Sequence, residues 1–186
     1  TVSNQEVTVD INFGQTDFEE VELTTRATLD VVPESRVQNL MVYIFAANGE
    51  RVYSHYFDNS NKYGSTAQLT DANCWTVSNM TTAGGAQTSG TVRIKAPALT
   101  NGSLYLIANI DADMVNISPE RLNTVRTVNE LWALDATLRQ EITSRNGYFP
   151  MTACVEGVSI LESGEMVKDG SNITADLTRM DANVQV

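Results

Sequence analysis

Residues 37–57 read VQNLMVYIFAANGERVYSHYF, and this stretch decides the fold class. Its first part, residues 37–45, is apolar and rich in β-branched and aromatic residues, and residues 51–57 are again strand-like. Asn48 and Gly49 lie between these two parts. An Asn-Gly dipeptide between two strand-like runs is the strongest short-range signal for a β-hairpin. We therefore predict two antiparallel strands joined by a tight turn.

Further strand patterns lie on both sides of the hairpin. Near the start of the chain, four apolar residues alternate with polar ones, which predicts a strand with one apolar face. These four residues are Val7, Val9, Ile11 and Phe13. Downstream, strand-like runs occur at residues 91–95, 103–110, 149–155, 158–161 and 173–186.

Helical spacing occurs in one convincing place, residues 127–139, where Thr127 and Glu130 fit a capping box. Trp132 on this helix is predicted to be a core residue. Ser118-Pro119-Glu120 indicates a second, shorter helical turn. Residues 58–90 are rich in Asn, Ser, Thr and Gly, and they predict a long loop with one short strand near Cys74.

These elements predict one domain of a mainly β fold. Eight or so strands, one or two short helices and no strand–helix alternation favour a mainly antiparallel β-sandwich. The chain of 186 residues carries a formal net charge of -11 and only three lysines. This charge argues against nucleic acid or an anionic membrane as partner. No run approaches the roughly 20 apolar residues of a membrane helix.

Residues suited to catalysis are scarce. His55 is the single histidine, which excludes a multi-histidine zinc site, and no nucleophile motif accompanies it. Asp111 and Asp113 lack further metal ligands at a recognisable spacing. We predict a non-enzymatic protein with no catalytic, metal-binding or cofactor-binding residues and no cofactor. Cys74 and Cys154 leave two alternatives open, a disulfide or two free thiols.

Several segments, in their order along the chain, resemble the fimbrillin family, which comprises the type V pilins and fimbrillin-like cell-surface adhesins of gut and oral anaerobic bacteria. The early amphipathic strand and the helix match this family, and five motifs carry most of the resemblance over nearly the whole chain. The motifs are TTRAT (24–28), VQNLMVYIFAANGERV (37–52), SLYLIANID (103–111), FPMTACVEGV (149–158) and DLTRMDANVQV (176–186).

The resemblance implies a domain organisation and a location. Residues 1–186 correspond to the family's N-terminal domain, for which the resemblance implies an antiparallel Greek-key β-sandwich of the transthyretin-like type, and the C-terminal domain of the family is expected to be absent from this chain. Members are exported as lipoproteins and reach the cell surface as outer-membrane fimbriae. The lipidated cysteine of the precursor is therefore expected upstream of Thr1.

The resemblance also implies an assembly mechanism, donor-strand exchange. An arginine-specific protease removes the N-terminal strand, and a strand from another pilus subunit fills the groove. Carried over to this sequence, the removable leader is residues 1–26 and the scissile bond is Arg26–Ala27, with Arg36 as the next candidate. Residues 37–45 and 173–186 are predicted to line the groove. The implied partners are other subunits, the protease, and a host protein or glycan.

Two other functions stay open on the sequence alone. A secreted carbohydrate- or host-ligand-binding β-sandwich module is the first, with Trp75 in the predicted loop as the candidate ligand contact; the same residue also fits a loop anchor packed against the core. A secreted hydrolase domain is the second. The single histidine and the lack of paired carboxylates disfavour the hydrolase.

Overall fold

The computed structural model describes residues 2–15, 37–71, 73–82, 85–110, 119–141 and 150–179. These residues form eleven strands, two α-helices and two single 3-10 turns. The strands are β1 (Val2–Gly14), β2 (Leu40–Phe45), β3 (Arg51–Phe57), β4 (Lys62–Tyr63), β5 (Cys74–Thr82), β6 (Gly85–Ala108), β7 (Met151–Ile160), β8 (Met166–Lys168), β9 (Ser171–Asn172), β10 (Thr174–Asp176) and β11 (Thr178–Arg179). The helices are α1 (Pro119–Leu122) and α2 (Val128–Glu141). The predicted mainly β, antiparallel fold with short helices is confirmed.

The long strand β6 takes part in two groups of strands. Its first part pairs antiparallel with β1 and β5, and its last part, from Gly102, pairs antiparallel with β2 and β7. Register shifts between Leu99 and Ser103 separate the two parts. We call β5, β1, β10 and the first part of β6 the β1 half. The β2 half consists of β3, β2, β7 and the last part of β6.

The main hydrophobic core contains buried side chains from both halves. The β1 half contributes Val9, Ile11, Phe13, Val92 and Ile94, and the β2 half contributes Leu40, Val42, Ile44, Leu104 and Leu106. Two strand layers that share one buried core are the arrangement of a β-sandwich. The packing therefore agrees with the predicted sandwich.

A second hydrophobic cluster lies on the other face of the β2 half, beneath the helices. Met41, Tyr43 and Phe45 belong to this cluster, while the residues that alternate with them belong to the main core. β2 is thus buried on both faces, which explains its continuous apolar run. The hydroxyl of Tyr43 donates a hydrogen bond to the carbonyl of Leu122 in α1 over 2.6 Å, and this bond connects the helical layer to the sheet.

The predicted hairpin and helix both form. β2 and β3 pair in register from Leu40 opposite Phe57 to Ile44 opposite Tyr53. At the start of α2, the hydroxyl of Thr127 accepts a hydrogen bond from the backbone N–H of Glu130 at 3.2 Å. The carboxylate of Glu130 reaches back to the N–H of Arg126 at 2.7 Å, one residue earlier than in the usual capping box.

Two sequence predictions are wrong. Much of the predicted loop at residues 58–90 is strand, because β5 forms a long antiparallel hairpin with the start of β6. The Ser and Thr residues within 76–82 and 88–89 lie in paired backbone, and threonine suits strands well. Trp132 is 50 % exposed rather than buried. Its side chain lies at the edge of the apolar face of α2, where the indole N–H donates to the hydroxyl of Tyr105 at 2.7 Å.

The turn between β7 and β8 packs directly against β1. Gly164 in this turn has a φ of +93°, a conformation that residues with a side chain rarely adopt. A Cβ atom at this position would lie 2.4 Å from the carbonyl oxygen of Thr8 in β1. The next residue, Glu165, makes an isolated parallel bridge with Asp10. The turn therefore depends on a residue without a side chain.

Gly164→Ala is expected to destabilise the protein more than Gly170→Ala, its matched control. Gly170 also has a positive φ, +81°, but a Cβ there would meet nothing within 4 Å. Gly170→Ala should cost about 1–2 kcal/mol for the backbone conformation alone. Gly164→Ala should cost about 1–3 kcal/mol more, because the methyl group displaces the turn from β1. Equal free energies of unfolding in urea for the two variants would contradict this account.

Candidate functional site

β1 has a strand on each edge near its end. It pairs antiparallel with β6 from Glu6 opposite Pro97 to Gly14 opposite Ser89. On its other edge, Asn12–Gly14 pair in parallel with Thr174–Asp176 of β10. The carbonyl of Gly14 also accepts a hydrogen bond from the N–H of Leu177 at 2.8 Å. β1 is therefore built into the sheet at this end, and it is the element on which a strand-exchange function depends.

The apolar face of β1 is part of the core. Val9, Ile11 and Phe13 are at most 1 % exposed, and Val7 packs against the core while partly exposed. Burial of three such side chains contributes roughly 5–9 kcal/mol of gross stabilisation. The alternation in the sequence thus identified the buried face of this strand correctly.

Phe13 occupies a space that exists because residue 90 on β6 is glycine. The two residues are cross-strand partners, and a Cβ added to Gly90 would lie 2.3 Å from Cζ of Phe13. The ring of Trp75 forms another wall, with its centroid 6.3 Å from that of Phe13. The ring of Phe57 continues this row, with its centroid 6.5 Å from that of Trp75. We call the space formed by Gly90 and Trp75 the Phe13 pocket.

The polar face of β1 carries an ion pair. The guanidinium of Arg93 donates to both carboxylate oxygens of Asp10, Nε to Oδ1 at 2.8 Å and Nη2 to Oδ2 at 3.1 Å. This hydrogen bonding raises the pKa of Arg93 above its ordinary value. Arg93 is 23 % and Asp10 43 % exposed, so the pair contributes at most about 1 kcal/mol to stability. A cleft of about 320 Å³ lies over this face, bordered by both residues and by Glu165.

The predicted lining of the groove is partly wrong. β2, within residues 37–45, pairs with β3 and β6 and not with β1. It reaches the same core only from the opposite half. β10, within residues 173–186, does flank β1. The principal neighbour of β1 is β6. This pairing was not predicted, because pairing between strands some 80 residues apart leaves no local signal in the sequence. Gly90, directly before the strand-like run at residues 91–95, was one available sign of a close approach.

The predicted processing residues lie outside the described part of the chain. Arg26, Ala27 and Arg36 all fall in residues 16–36, and Asp111 and Asp113 also lie outside the described residues.

Trp75 is not available as a ligand contact. It is 0 % exposed, and its indole N–H donates to the carbonyl of Asp58 at 2.7 Å. The ligand prediction for Trp75 is therefore wrong, and the alternative prediction of a core anchor holds. The exposed tryptophan is Trp132, which borders a cleft of about 240 Å³ together with Tyr105, Cys154 and Glu156.

The described residues offer little for catalysis. They contain no group of three His, Cys, Asp or Glu side chains that could hold a metal ion. Cys74 is buried, Cys154 is exposed, and both are free thiols. In the part of the chain that is described, no helix has both the length and the apolar character of a membrane span.

His55 is a structural residue of β3. Its ring lies edge-on to Phe57, with centroids 4.8 Å apart, and Asn61 and Asn73 approach its two ring nitrogens at 3.4 and 3.5 Å. Burial lowers the pKa of His55 below the ordinary 6.5, and the nearby Asp58 carboxylate opposes this shift.

Comparison with known proteins identifies a matching family and returns two solved structures with partial similarity. A family model described as "Major fimbrial subunit protein (FimA)" matches residues 8–184. The tip fimbrial protein Mfa3 from Porphyromonas gingivalis, solved with a C-terminal truncation, is 16% identical with a TM-score of 0.49. A fimbrial assembly protein from Parabacteroides distasonis ATCC 8503 is 15% identical, also with a TM-score of 0.49.

Both structural alignments cover 94% of this chain, but only 48% of the Mfa3 chain and 52% of the P. distasonis chain. The chain therefore spans about half the length of these two proteins. A search of curated proteins finds no match.

Replacement of the two tryptophans should have very different effects on stability. Trp75→Ala is expected to lower the free energy of unfolding by about 3–5 kcal/mol, because it leaves a cavity in the core. Trp132→Ala, the matched exposed control, should cost less than about 1 kcal/mol. Urea titrations of both variants measure the difference. A folded Trp75→Ala variant of unchanged stability would contradict the buried position of Trp75.

Protonation of His55 should weaken the fold. Because the pKa of His55 is lower in the folded than in the unfolded chain, the unfolded chain binds the proton more tightly. The free energy of unfolding should therefore fall as the pH drops from about 7.5 through 6.5 towards about 5.5. A His55→Gln variant should show a smaller fall over this interval, and the difference between the two titrations isolates the histidine. Identical pH dependence in both proteins would show that His55 does not contribute.

Proposed function

This chain belongs to the major fimbrial subunit protein (FimA) family, and we propose that it acts as a pilus subunit or adhesin domain assembled by strand exchange. In this proposal an arginine-specific protease cuts the Arg26–Ala27 bond, β1 leaves, and a strand of another subunit replaces it. The observation that carries the proposal is the position of β1. It is the first of the described strands and lies N-terminal to the proposed cut, and its apolar face lies in the main core. One cut between β1 and β2 would therefore release a core element.

The covalent connection explains why the subunit would wait for the protease. A tethered strand has an effective concentration in the millimolar range, well above that of free subunits in solution. Before the cut, β1 therefore wins the competition for its own groove. After the cut, the fragment that contains β1 can dissociate and become diluted, and a strand from a second subunit can compete on equal terms.

Loss of β1 would create a strong demand for a replacement. Val92 on β6 packs beside its cross-strand partner Ile11, and Ile94 packs beside Val9. Without β1, Val92 and Ile94 would lose these apolar contacts. The backbone groups of β6 and β10 that now pair with β1 would also become unpaired. An exposed strand edge beside an apolar groove binds an added strand by backbone hydrogen bonds and side-chain pockets.

The proposal places the mature protein at the cell surface, as part of a fimbria. A precursor lipidated upstream of Thr1, other pilus subunits as partners, and a host protein or glycan as the target of an adhesin all belong to this proposal. The net charge of -11 suits an exported protein that stays soluble before assembly.

A second candidate function is the binding of a carbohydrate or another host ligand, with Trp132 instead of Trp75 as the candidate contact residue. The supporting observation is the half-exposed indole of Trp132 beside Tyr105 at the cleft of about 240 Å³. Exposed aromatic rings bind sugars through their faces. Glycan binding that disappears in Trp132→Ala, in a chain that resists proteolysis at Arg26, would favour this second function.

The test of the leading proposal is limited digestion of the folded chain with an arginine-specific protease, followed by intact mass. The chain contains nine arginines. We expect the first cut after Arg26, because small polar residues flank it and a protease needs an extended, accessible backbone. Arg26→Lys should abolish this cut, since the protease requires arginine, while the matched control Arg36→Lys should be cut like the unchanged chain.

The second step of the test follows the released strand. After the cut, addition of a synthetic peptide of residues 5–15 should yield a complex in which the peptide replaces residues 1–26. First cleavage at another arginine, or failure of the peptide to enter the groove, would contradict the proposed mechanism.

A further inference from the structure

The edge of β6 that faces β1 carries two features that can discriminate between strands. They are Arg93 on the polar face of the sheet and Gly90 on the core face. In β1 their cross-strand partners are Asp10 and Phe13, three residues apart. The two features therefore lie on opposite faces of the groove, and each one contacts a side chain of a different kind.

Arg93 is held in place by a group that does not belong to β1. Its Nη1 donates to the carbonyl of Leu69 at 3.0 Å, and Leu69 precedes β5. This hydrogen bond would survive the loss of β1, so the guanidinium would stay directed at the groove. In a chain of net charge -11, Arg93 and Lys95 give this stretch of β6 a local positive charge. An acidic residue on an incoming strand would find an oriented partner here.

Gly90 is unique among the β6 residues that pair with β1. The paired stretch, residues 89–97, contains one glycine, and all other positions carry a side chain. The Phe13 pocket over Gly90 is filled by the ring of Phe13 and walled by Trp75, and a Cβ on Gly90 would also lie 2.5 Å from the carbonyl oxygen of Thr76 in β5. An aromatic side chain fits this space, whereas smaller apolar side chains would leave part of it empty.

The two features together fix the register of a strand. A shift by one residue would place every apolar side chain on the wrong face. A shift by two residues keeps the faces, and in one direction it brings the carboxylate opposite Lys95, a second cation. The same shift moves the aromatic ring from Gly90 to Val92, whose side chain occupies the space. The aromatic ring fits only opposite Gly90, so the shifted register with the carboxylate opposite Lys95 is excluded although its charge pairing is favourable.

We propose that the groove of this domain selects an incoming strand that carries a carboxylate opposite Arg93 and, three residues later, an aromatic ring opposite Gly90. The partner is then a subunit whose donor strand has the pattern acidic–apolar–any–aromatic, as in residues 10–13 of β1, and runs antiparallel to β6. This inference rests on the proposed strand exchange and adds to it a rule of specificity. Strands with the same apolar alternation but without these two residues would bind more weakly or in a shifted register.

The test uses the full chain, with a recognition sequence for a site-specific protease inserted after Arg26. The nicked protein starts with β1 in its groove, so the domain is folded at the outset. Fluorescently labelled peptides of residues 5–15 then compete with β1, in urea just below the unfolding midpoint so that release of β1 does not limit exchange. Bound peptide is measured by fluorescence anisotropy. Ratios between peptides on the same chain remove differences in the stability of the chain.

Two peptide variants test the rule, each with a matched control. The Asp10→Lys peptide should bind about tenfold more weakly than the unchanged peptide. The Asn12→Lys peptide carries the same charge on the same face and should lose much less affinity. Phe13→Leu should bind about three- to tenfold more weakly, while Ile11→Leu should stay close to the unchanged peptide.

Changes in β6 should reverse these preferences. A chain with Arg93→Glu should bind the Asp10→Lys peptide better than the unchanged one. A chain with Gly90→Ala should lose its preference for the peptide with Phe13 over the Phe13→Leu peptide, because the added methyl group enters the space of the ring. These reversals distinguish recognition from a general loss of affinity.

The outcomes separate the two proposals. If the unchanged peptide exchanges and the variants exchange equally well, the rule of specificity is overturned and strand exchange stands. If no peptide exchanges, strand exchange itself is overturned, and the rule falls with it. In the intact chain, Asp10→Lys and Arg93→Glu should each lower the free energy of unfolding and together restore it. Simple additivity in that cycle would overturn the role of Arg93 independently of exchange.

Discussion

Four other strands form their backbone hydrogen bonds with β6. Its first part holds β1 and β5, and its last part holds β2 and β7. Because the register shifts between Leu99 and Ser103 separate these parts, one strand can belong to both halves around the main core. Any strand that occupies the position of β1 must therefore match a neighbour that the rest of the sandwich already fixes.

The helical layer is hydrogen-bonded to β2 and β3. Tyr43 bonds to Leu122 of α1, and Arg51 donates from Nη1 to the carbonyls of Asn123 and Val125 at 2.7 and 2.9 Å. These bonds lie on the side of the β2 half that faces away from β1. The half that would lose its first strand and the half that is braced by helices are thus different parts of one domain. Under the proposed exchange, the hydrogen bonds between the helices and the β2 half would remain when β1 leaves.

Local sequence patterns predicted the elements whose cause is local. The Asn48-Gly49 hairpin, the capped helix α2 and the alternating burial of β1 all follow from spacing within about a dozen residues. Only the start of β5, near Cys74, was predicted as strand, because the polar composition of its remainder is typical of loops, although the whole strand pairs with β6. For a related reason Trp132 was wrongly predicted to be a core residue, and Trp75 was left open between a ligand contact and a core anchor. Whether a tryptophan faces the core depends on which distant strands lie beside it, and no local pattern contains that information.

The parallel pairing of β1 with β10, combined with its antiparallel pairing with β6, fixes the direction in which a strand can occupy this position. Under the proposed exchange, every junction between subunits would then have the same sense, with the donor entering from one end only. Contacts of this head-to-tail type do not close into a symmetric pair, and they build an open filament instead. Such a fimbria would be polar, with two chemically different ends, and the orientation of one small strand in each subunit would set the polarity of the whole fibre.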